Sequence, residues 1–323
     1  MNPTPDATSA PVTVREVGLR DGLQILARTV PTAHKTAWLR AAHAAGLRHF
    51  EVGSFVPPKL MPQLADTAEV VAAGLALPGA VVSVLVPNLK GAERALACGV
   101  HAMLMPVSAS HAHSLANLKR TPDEAVAELA LIAAARDRHA AATGQRVRLE
   151  VGLSTAFGCT IQGRVDEAEA LRLVDAVVAA GADAVGLADT VGYADPEQVR
   201  RLFTRAREQH GGRVECGHFH DTRGLGLANV YAAWQTGVRT FDACLGGLGG
   251  CPHAPGASGN VATEDLAYLF ASMGVPTGLS VPELLRVRGD LAAWLPGETL
   301  RGSIAGAGLP RSLREAEPEA AAA

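Results

Sequence analysis

With 323 residues, 48% of them hydrophobic, the chain has ample material for a soluble core and is long enough for one large domain or two ordinary ones. A net charge of −3 with no basic run argues against nucleic-acid or polyanion binding. No apolar stretch reaches membrane-spanning length, because charges and glycines interrupt each one.

Along the chain, short apolar runs alternate with amphipathic segments rich in Ala, Leu, Arg and Glu. Residues 1–10 are small and polar and are expected to form a disordered leader, lacking the basic and apolar regions of a signal or transit peptide. Strands are predicted at 12–17, 49–52, 81–86, 102–107, 147–151, 184–188, 214–219 and 240–245. Helices are predicted between and after them, at about 32–45, 62–73, 91–98, 121–142, 165–180, 196–209, 225–234 and 263–272. The longest opens with Thr121-Pro122-Asp123-Glu124, a capping signal with proline at the first helical position.

Eight strand–helix units of this size predict an α/β fold, a (β/α)8 barrel. A doubly wound open sheet is the competitor, but no Gly-x-Gly-x-x-Gly follows the first strand. The expected organisation is a catalytic barrel over 11–280, a short helical extension over 281–310 and a flexible tail over 311–323. The odd count of five cysteines, spread through apolar segments, reads as reduced thiols in a cytoplasmic protein. Cys98 and Cys244 read as core thiols.

Active sites of such barrels lie at the C-terminal ends of the strands. There the sequence delivers Arg20-Asp21 after strand one, Glu51 on strand two, Asn88 after strand three and Ser108 and His111 after strand four. Asp189-Thr190 ends strand six, His218 and His220 lie on strand seven, and Cys251 and Asn260 follow strand eight. Each has an ordinary alternative. Asp21-Gly22 alone reads as a turn, Asp189-Thr190 as a helix cap and Asn260 as a turn residue. His111 and His113, in a Ser/His/Asn-rich loop, read as surface residues. Glu51 is harder to dismiss, because a carboxylate in an apolar strand needs a partner such as Arg20.

His218 and His220, two apart on a strand, face the same way and form a ready bidentate site for a divalent metal. One carboxylate, two imidazoles and an amide oxygen suit octahedral Mg2+ or Mn2+ better than structural zinc. The glycines around Cys251 suggest a mobile lid.

These motifs resemble the metal-dependent Claisen-type lyases and synthases built on a (β/α)8 barrel, and within them the 3-hydroxy-3-methylglutaryl-CoA lyases. The matching segments are 16–24 (Glu-Val-Gly-Leu-Arg-Asp-Gly-Leu-Gln), 51–59, 86–91, 187–192, His218-Phe219-His220-Asp221-Thr222 and 246–265. The resemblance runs from about Val12 to Ser280. It implies Asp21, His218, His220 and Asn260 as metal ligands, Arg20 as the catalytic arginine, Glu51 as its acidic neighbour, Cys251 as the lid cysteine and Asp189 as an active-site carboxylate. Gln24, Asn88 and Thr190 are expected to bind substrate, and Lys59 and Lys90 to meet CoA phosphates. The implied reaction is retro-Claisen cleavage of an acyl-CoA substrate, of the kind used in leucine and ketone-body metabolism, with His218 or Asp189 as base and a homodimer as the assembly. The chain departs from the family around Phe157-Gly158-Cys159-Thr160, at Arg223 and at His253, which bears on the acyl group. A citramalyl-CoA lyase is the near alternative.

Rival chemistries fit less well. A Schiff-base aldolase needs a lysine on strand six, which has none. A metal-dependent hydrolase of the amidohydrolase type carries its His-x-His on the first strand. A regulated synthase of the citramalate or isopropylmalate type usually adds a C-terminal domain for which this chain has no room.

Overall fold

Each predicted strand buries apolar side chains, Val52, Val84 and Phe219 among them, and the eight runs close on one another. In the computed structural model, which describes residues 10–250 and 259–311, they form a single parallel barrel in sequence order. The strands are β1 (Thr13–Glu16), β2 (His49–Ser54), β3 (Val81–Leu85), β4 (Ala102–Ser108), β5 (Arg148–Ser154), β6 (Ala184–Asp189), β7 (Val214–Phe219) and β8 (Thr240–Ala243). Pairing of Thr13 with Thr240 and of Glu16 with Ala243 closes the ring. The expected leader and tail lie largely outside the described residues, as do Cys251 and His253.

The helices are α1 (Thr32–Ala44), α2 (Thr67–Leu75), α3 (Leu89–Ala97), α4 (His111–Leu118), α5 (Pro122–Thr143), α6 (Glu167–Ala179), α7 (Pro196–His210), α8 (Gly226–Gln235), α9 (Thr263–Ser272), α10 (Val281–Trp294) and the short α11 (Ile304–Ala307). Thr121 and Glu124 cap α5 reciprocally, as the sequence signal predicts.

Three local features differ from the sequence reading. Residues 111–118 form α4 rather than a loop: Ser110 caps it by accepting from the His113 N–H at 3.1 Å. His113 is therefore buried, with Nδ1 2.7 Å from the Ser108 hydroxyl, whereas His111 is exposed. The segment after β2 splits into a 3-10 turn, Pro62–Leu64, and α2. After β1 the chain makes one wide turn, in which the N–H groups of Arg20, Asp21 and Gly22 all point to the Val17 carbonyl. Such π-type turns are uncommon and often mark functional sites.

The barrel interior is not filled in the usual way. Along β5, Leu149, Val151 and Leu153 are fully buried beneath the helices. Glu150, Gly152 and Ser154, which face the barrel axis, are only half-buried. Barrels of this type ordinarily pack bulky branched side chains into that interior. After the barrel, α10 packs on α1 and α9, with the Trp294 ring stacked 5.9 Å from His34.

Candidate active site

The wide turn after β1 presents two charged side chains in succession. Arg20 is buried, with one terminal nitrogen 2.6 Å from Asp21 Oδ1 and the other 2.8 Å from Glu51 Oε2. The Glu51 contact is an ion pair outside hydrogen-bond alignment, since both Glu51 oxygens lack a hydrogen-bond donor. Burial pushes the Glu51 carboxyl up, against the pull of the Arg20 charge. Asp21 goes the other way: burial opposes its ionisation, but the Arg20 guanidinium and neighbouring histidines hold it well below the carboxylate range.

Asp21 lies among the other expected ligands. Its Oδ2 accepts from Asn260 Nδ2 at 2.6 Å and stands 3.5 Å from His220 Nε2. Gln24 donates to its Oδ1 at 2.8 Å. Ligand atoms of Asp21, His218 and His220 all fall within 4.8 Å of one another. Gly249 (φ +115) makes this approach possible, because a Cβ there would stand 2.5 Å from Asn260 Nδ2.

The donor set fits a divalent cation. Both ring nitrogens of His220 and Oδ1 of Asn260 are buried without any hydrogen-bond partner. Leaving a buried polar atom unpaired costs about 1–3 kcal/mol, and one cation could satisfy His220 Nε2, which stands beside Asp21, together with Asn260 Oδ1. His218 is oriented from behind: its Nδ1 is 3.0 Å from Asp242 Oδ2, leaving Nε2 for the cluster. Burial lowers the His218 pKa, but the Asp242 hydrogen bond and charge win and raise it.

A cavity of about 620 Å³ opens at the C-terminal end of the strands, lined by Arg20, Asp21, Gln24, His218, His220 and Thr190. Asn88 also reaches it, although its Oδ1 caps α3 through the Gly91 N–H at 2.9 Å. Thr190 accepts from the Thr155 N–H at 2.9 Å. Asp189 sits behind the wall, its two oxygens accepting from the N–H groups of Tyr193 and Ala194 at 2.8 and 3.0 Å. Lys59 and Lys90 are exposed and are not part of the cavity wall; the cations at its mouth are Lys119 and Arg120. Gly250, the last described residue before Cys251, is part of the wall.

Two of the departures from the family pattern face away from the cavity. Phe157 is buried against Phe203 and Phe219. Arg223 lies over the Tyr193 ring at 4.5 Å and donates to the carbonyls of Val191 and Gly192.

A family model described as HMGL-like matches residues 12–290. The chain belongs to the HMGL-like family. Among relatives, a hydroxymethylglutaryl-CoA lyase of Bacillus subtilis is 36% identical over 284 residues, 88% of this chain and 92% of that protein. An (R)-citramalyl-CoA lyase of Chloroflexus aurantiacus is 36% identical over 307 residues, 92% of this chain and 95% of its own. Among solved structures, an HMG-CoA lyase of Acinetobacter baumannii in complex with coenzyme A and 3-methylmalate superposes with a TM-score of 0.87 at 37% identity, covering 95% of this chain and 98% of that one.

Within this HMGL-like barrel, sequence reasoning missed several ionisable residues behind the rim. Glu16 is buried between β1 and β8, accepting from the N–H groups of Gly18 and Leu245 and from the Thr263 hydroxyl at 2.6 Å. Asp242 holds His218, and Arg15 in turn bridges Asp242 at 2.7 Å and Glu150 at 2.5 Å. The signal that found Glu51, a charge inside an apolar strand, is equally present at Arg15, Glu16, Glu150 and Asp242.

Proposed function

We propose that the protein is a carbon–carbon lyase that cleaves 3-hydroxy-3-methylglutaryl-CoA, or a close homologue, to acetyl-CoA and a keto acid. The observation that carries this reading is the Arg20–Asp21 pair set against His218 and His220 in one wall of the cavity, with Asn260 hydrogen-bonded to Asp21. Asp21, His218, His220 and Asn260 would hold Mg2+ or Mn2+, which when bound polarises the 3-hydroxyl of the substrate.

The remaining work falls to side chains. Cleavage requires the 3-hydroxyl to lose its proton as the C2–C3 bond breaks, leaving a ketone and the enolate of acetyl-CoA. Arg20, always cationic and pinned by Asp21 and Glu51, is placed to bind the thioester oxygen where negative charge develops. Of the two candidate bases, His218 lines the cavity, whereas both Asp189 oxygens are committed to backbone donors. His218 has one free nitrogen, so in any step it is either ligand or base. As base, its charged form is stabilised by Asp242. Cys251 would return a proton to the enolate carbon. Lys119 and Arg120 take the place of Lys59 and Lys90 as the CoA phosphate partners. A homodimer and a cytoplasmic location belong to the same reading; among the described residues no helix is long and apolar enough to cross a membrane.

Product analysis with Mg2+ tests the proposal. Acetoacetate from 3-hydroxy-3-methylglutaryl-CoA is the expected product. Pyruvate from citramalyl-CoA alone would move the substrate while keeping the chemistry. No cleavage of either thioester would remove the lyase reading.

A further inference from the structure

An unbroken row of ionic contacts runs down the barrel from the metal cluster to the opposite face. His218 Nδ1 is 3.0 Å from Asp242 Oδ2, and Asp242 Oδ1 is 2.7 Å from Arg15 Nε. Arg15 Nη1 is 2.5 Å from Glu150 Oε2, and Glu150 Oε1 is 3.3 Å from Arg148 Nε. Arg148 reaches Glu215 Oε1 at 2.5 Å. Asp242, Arg15 and Glu150 are nearly enclosed, with side chains 4, 7 and 14% exposed, whereas Arg148, at the start of β5, is 45% exposed. Barrels of this type ordinarily fill these layers with branched aliphatic side chains. A buried ion pair loses about as much in desolvation as it returns in attraction, so stability alone does not account for the exchange.

The geometry points to Arg15 and Glu150 as positioning residues for the metal site, which act through Asp242 to aim His218 at the cation. This assignment rests on the metal ligands proposed above and not on which thioester is cleaved. The two oxygens of Asp242 have different partners. Arg15 holds Oδ1, which leaves Oδ2 for His218 and stops the carboxylate from turning. The Cys216 thiol flanks this contact, 3.5 Å from both Arg15 Nη2 and Asp242 Oδ1. A guanidinium is a planar fork, so fixing one end of it fixes the other. Glu150 does this from β5, across the barrel from β1. Without Glu150 the Arg15 side chain could swing toward Gly152, where a Cβ would meet nothing closer than a Leu104 methyl at 3.8 Å. The pair carries opposite charges and adds no net charge near the cation. Arg15 stands nearer the cluster in the row, so Coulomb's law makes removal of both favour a cation. A weaker metal affinity in their absence is therefore positional.

The test measures the Kd of Mn2+ alone by equilibrium dialysis of the full chain. It compares wild type, Arg15→Met/Glu150→Leu, Asp242→Asn and the triple variant, with a urea titration of each to report the fold separately. The apolar pair should weaken Mn2+ binding about tenfold, the lower end of the loss for a direct partner of a ligand. In the Asp242→Asn background the same pair should change the Kd by no more than about twofold, because the residue through which it acts is already altered. Arg15→Lys keeps the charge and loses the fork; it should weaken Mn2+ binding severalfold and serves if the apolar pair prevents folding. A folded variant of either kind with an unchanged Kd would overturn the inference, as would an equal loss in both backgrounds. An unchanged Kd with a raised KM would assign Arg15 and Glu150 to the substrate instead. Mn2+ binding by the wild type with no cleavage of either thioester would remove the lyase reading and leave the positioning role open to the same Kd comparison, which needs no substrate.

Discussion

Nδ1 of His218 stands 3.0 Å from Oδ2 of Asp242, and the other oxygen of that carboxylate is 2.7 Å from Nε of Arg15. Burial works against the Asp242 charge, yet Arg15 and His218 hold its pKa well below the carboxylate range. A charged carboxylate behind an imidazole fixes its tautomer and raises the basicity of the opposite nitrogen. Asp242→Asn keeps the shape and removes the charge. Metal affinity should fall about 10–100-fold, read by equilibrium dialysis; an unchanged Kd would mean that His218 needs no orienting partner.

Removal of the cation should stop the reaction. Exhaustive EDTA treatment is expected to abolish turnover, and added Mg2+ or Mn2+ to restore it. His220→Ala and Asp21→Ala should lose metal and activity together. Full activity in EDTA would sink the metal assignment.

Glu51 is 0% exposed and faces Arg20, which is itself held within the barrel mouth. Removing one member of a buried ion pair strands the other charge and typically costs about 3–5 kcal/mol. Glu51→Ala should lower stability by that order in a urea titration and also cut kcat, because Arg20 loses one of the two anchors that aim it. A variant of normal stability would show that solvent or Asp21 alone satisfies the arginine.

Burial pushes both Glu16 and Glu264 up to about 7, from an ordinary value of 4.5. Between those two values the native protein binds more protons than the unfolded chain. Stability must therefore fall as pH rises through that window, and level off above it. The loss is on the order of 3 kcal/mol per group. Glu16→Gln should flatten the decline of Tm measured from about pH 5 to about pH 7. A slope identical to wild type would locate the titration elsewhere.

Cys251→Ser tests the proposed proton donor. A general acid contributes on the order of 10²–10⁴ in rate. The variant should lose kcat on that scale while binding metal as tightly as the wild type. Normal turnover would take the proton-donating role away from this cysteine.

The barrel was legible because period-two strands and capped helices repeat eight times at even spacing, and each local signal agrees with the whole. The rim was legible in the same way: Asp21 follows β1, and His218 and His220 sit at the end of β7, ends that the pattern locates. Asn260 and Asp21 meet across 239 positions of sequence, so their 2.6 Å contact was legible only through family resemblance. The layer behind the rim was not read. Arg15, Glu150 and Asp242 come from three strands, and no local spacing announces that one guanidinium will bridge two distant carboxylates. α4 was missed because His-Ala-His-Ser-Leu-Ala-Asn looks polar; the cap from Ser110 and the buried face of His113 and Ser114 make it a helix.

The chain after α10 returns to the segment that leads toward Cys251. The Arg301 N–H donates to the Gly246 carbonyl at 2.7 Å, and Asp265 accepts from the N–H groups of Ser303 and Ile304. The family match ends at residue 290, short of this strap. A recombinant fragment trimmed to that boundary would keep every rim residue and all eight strands, yet lose the fastening that positions the glycine-rich approach to the mouth. For anyone choosing where to cut, fuse or immobilise this protein, a boundary at residue 290 would sever α10 and remove the Arg301 contact to Gly246.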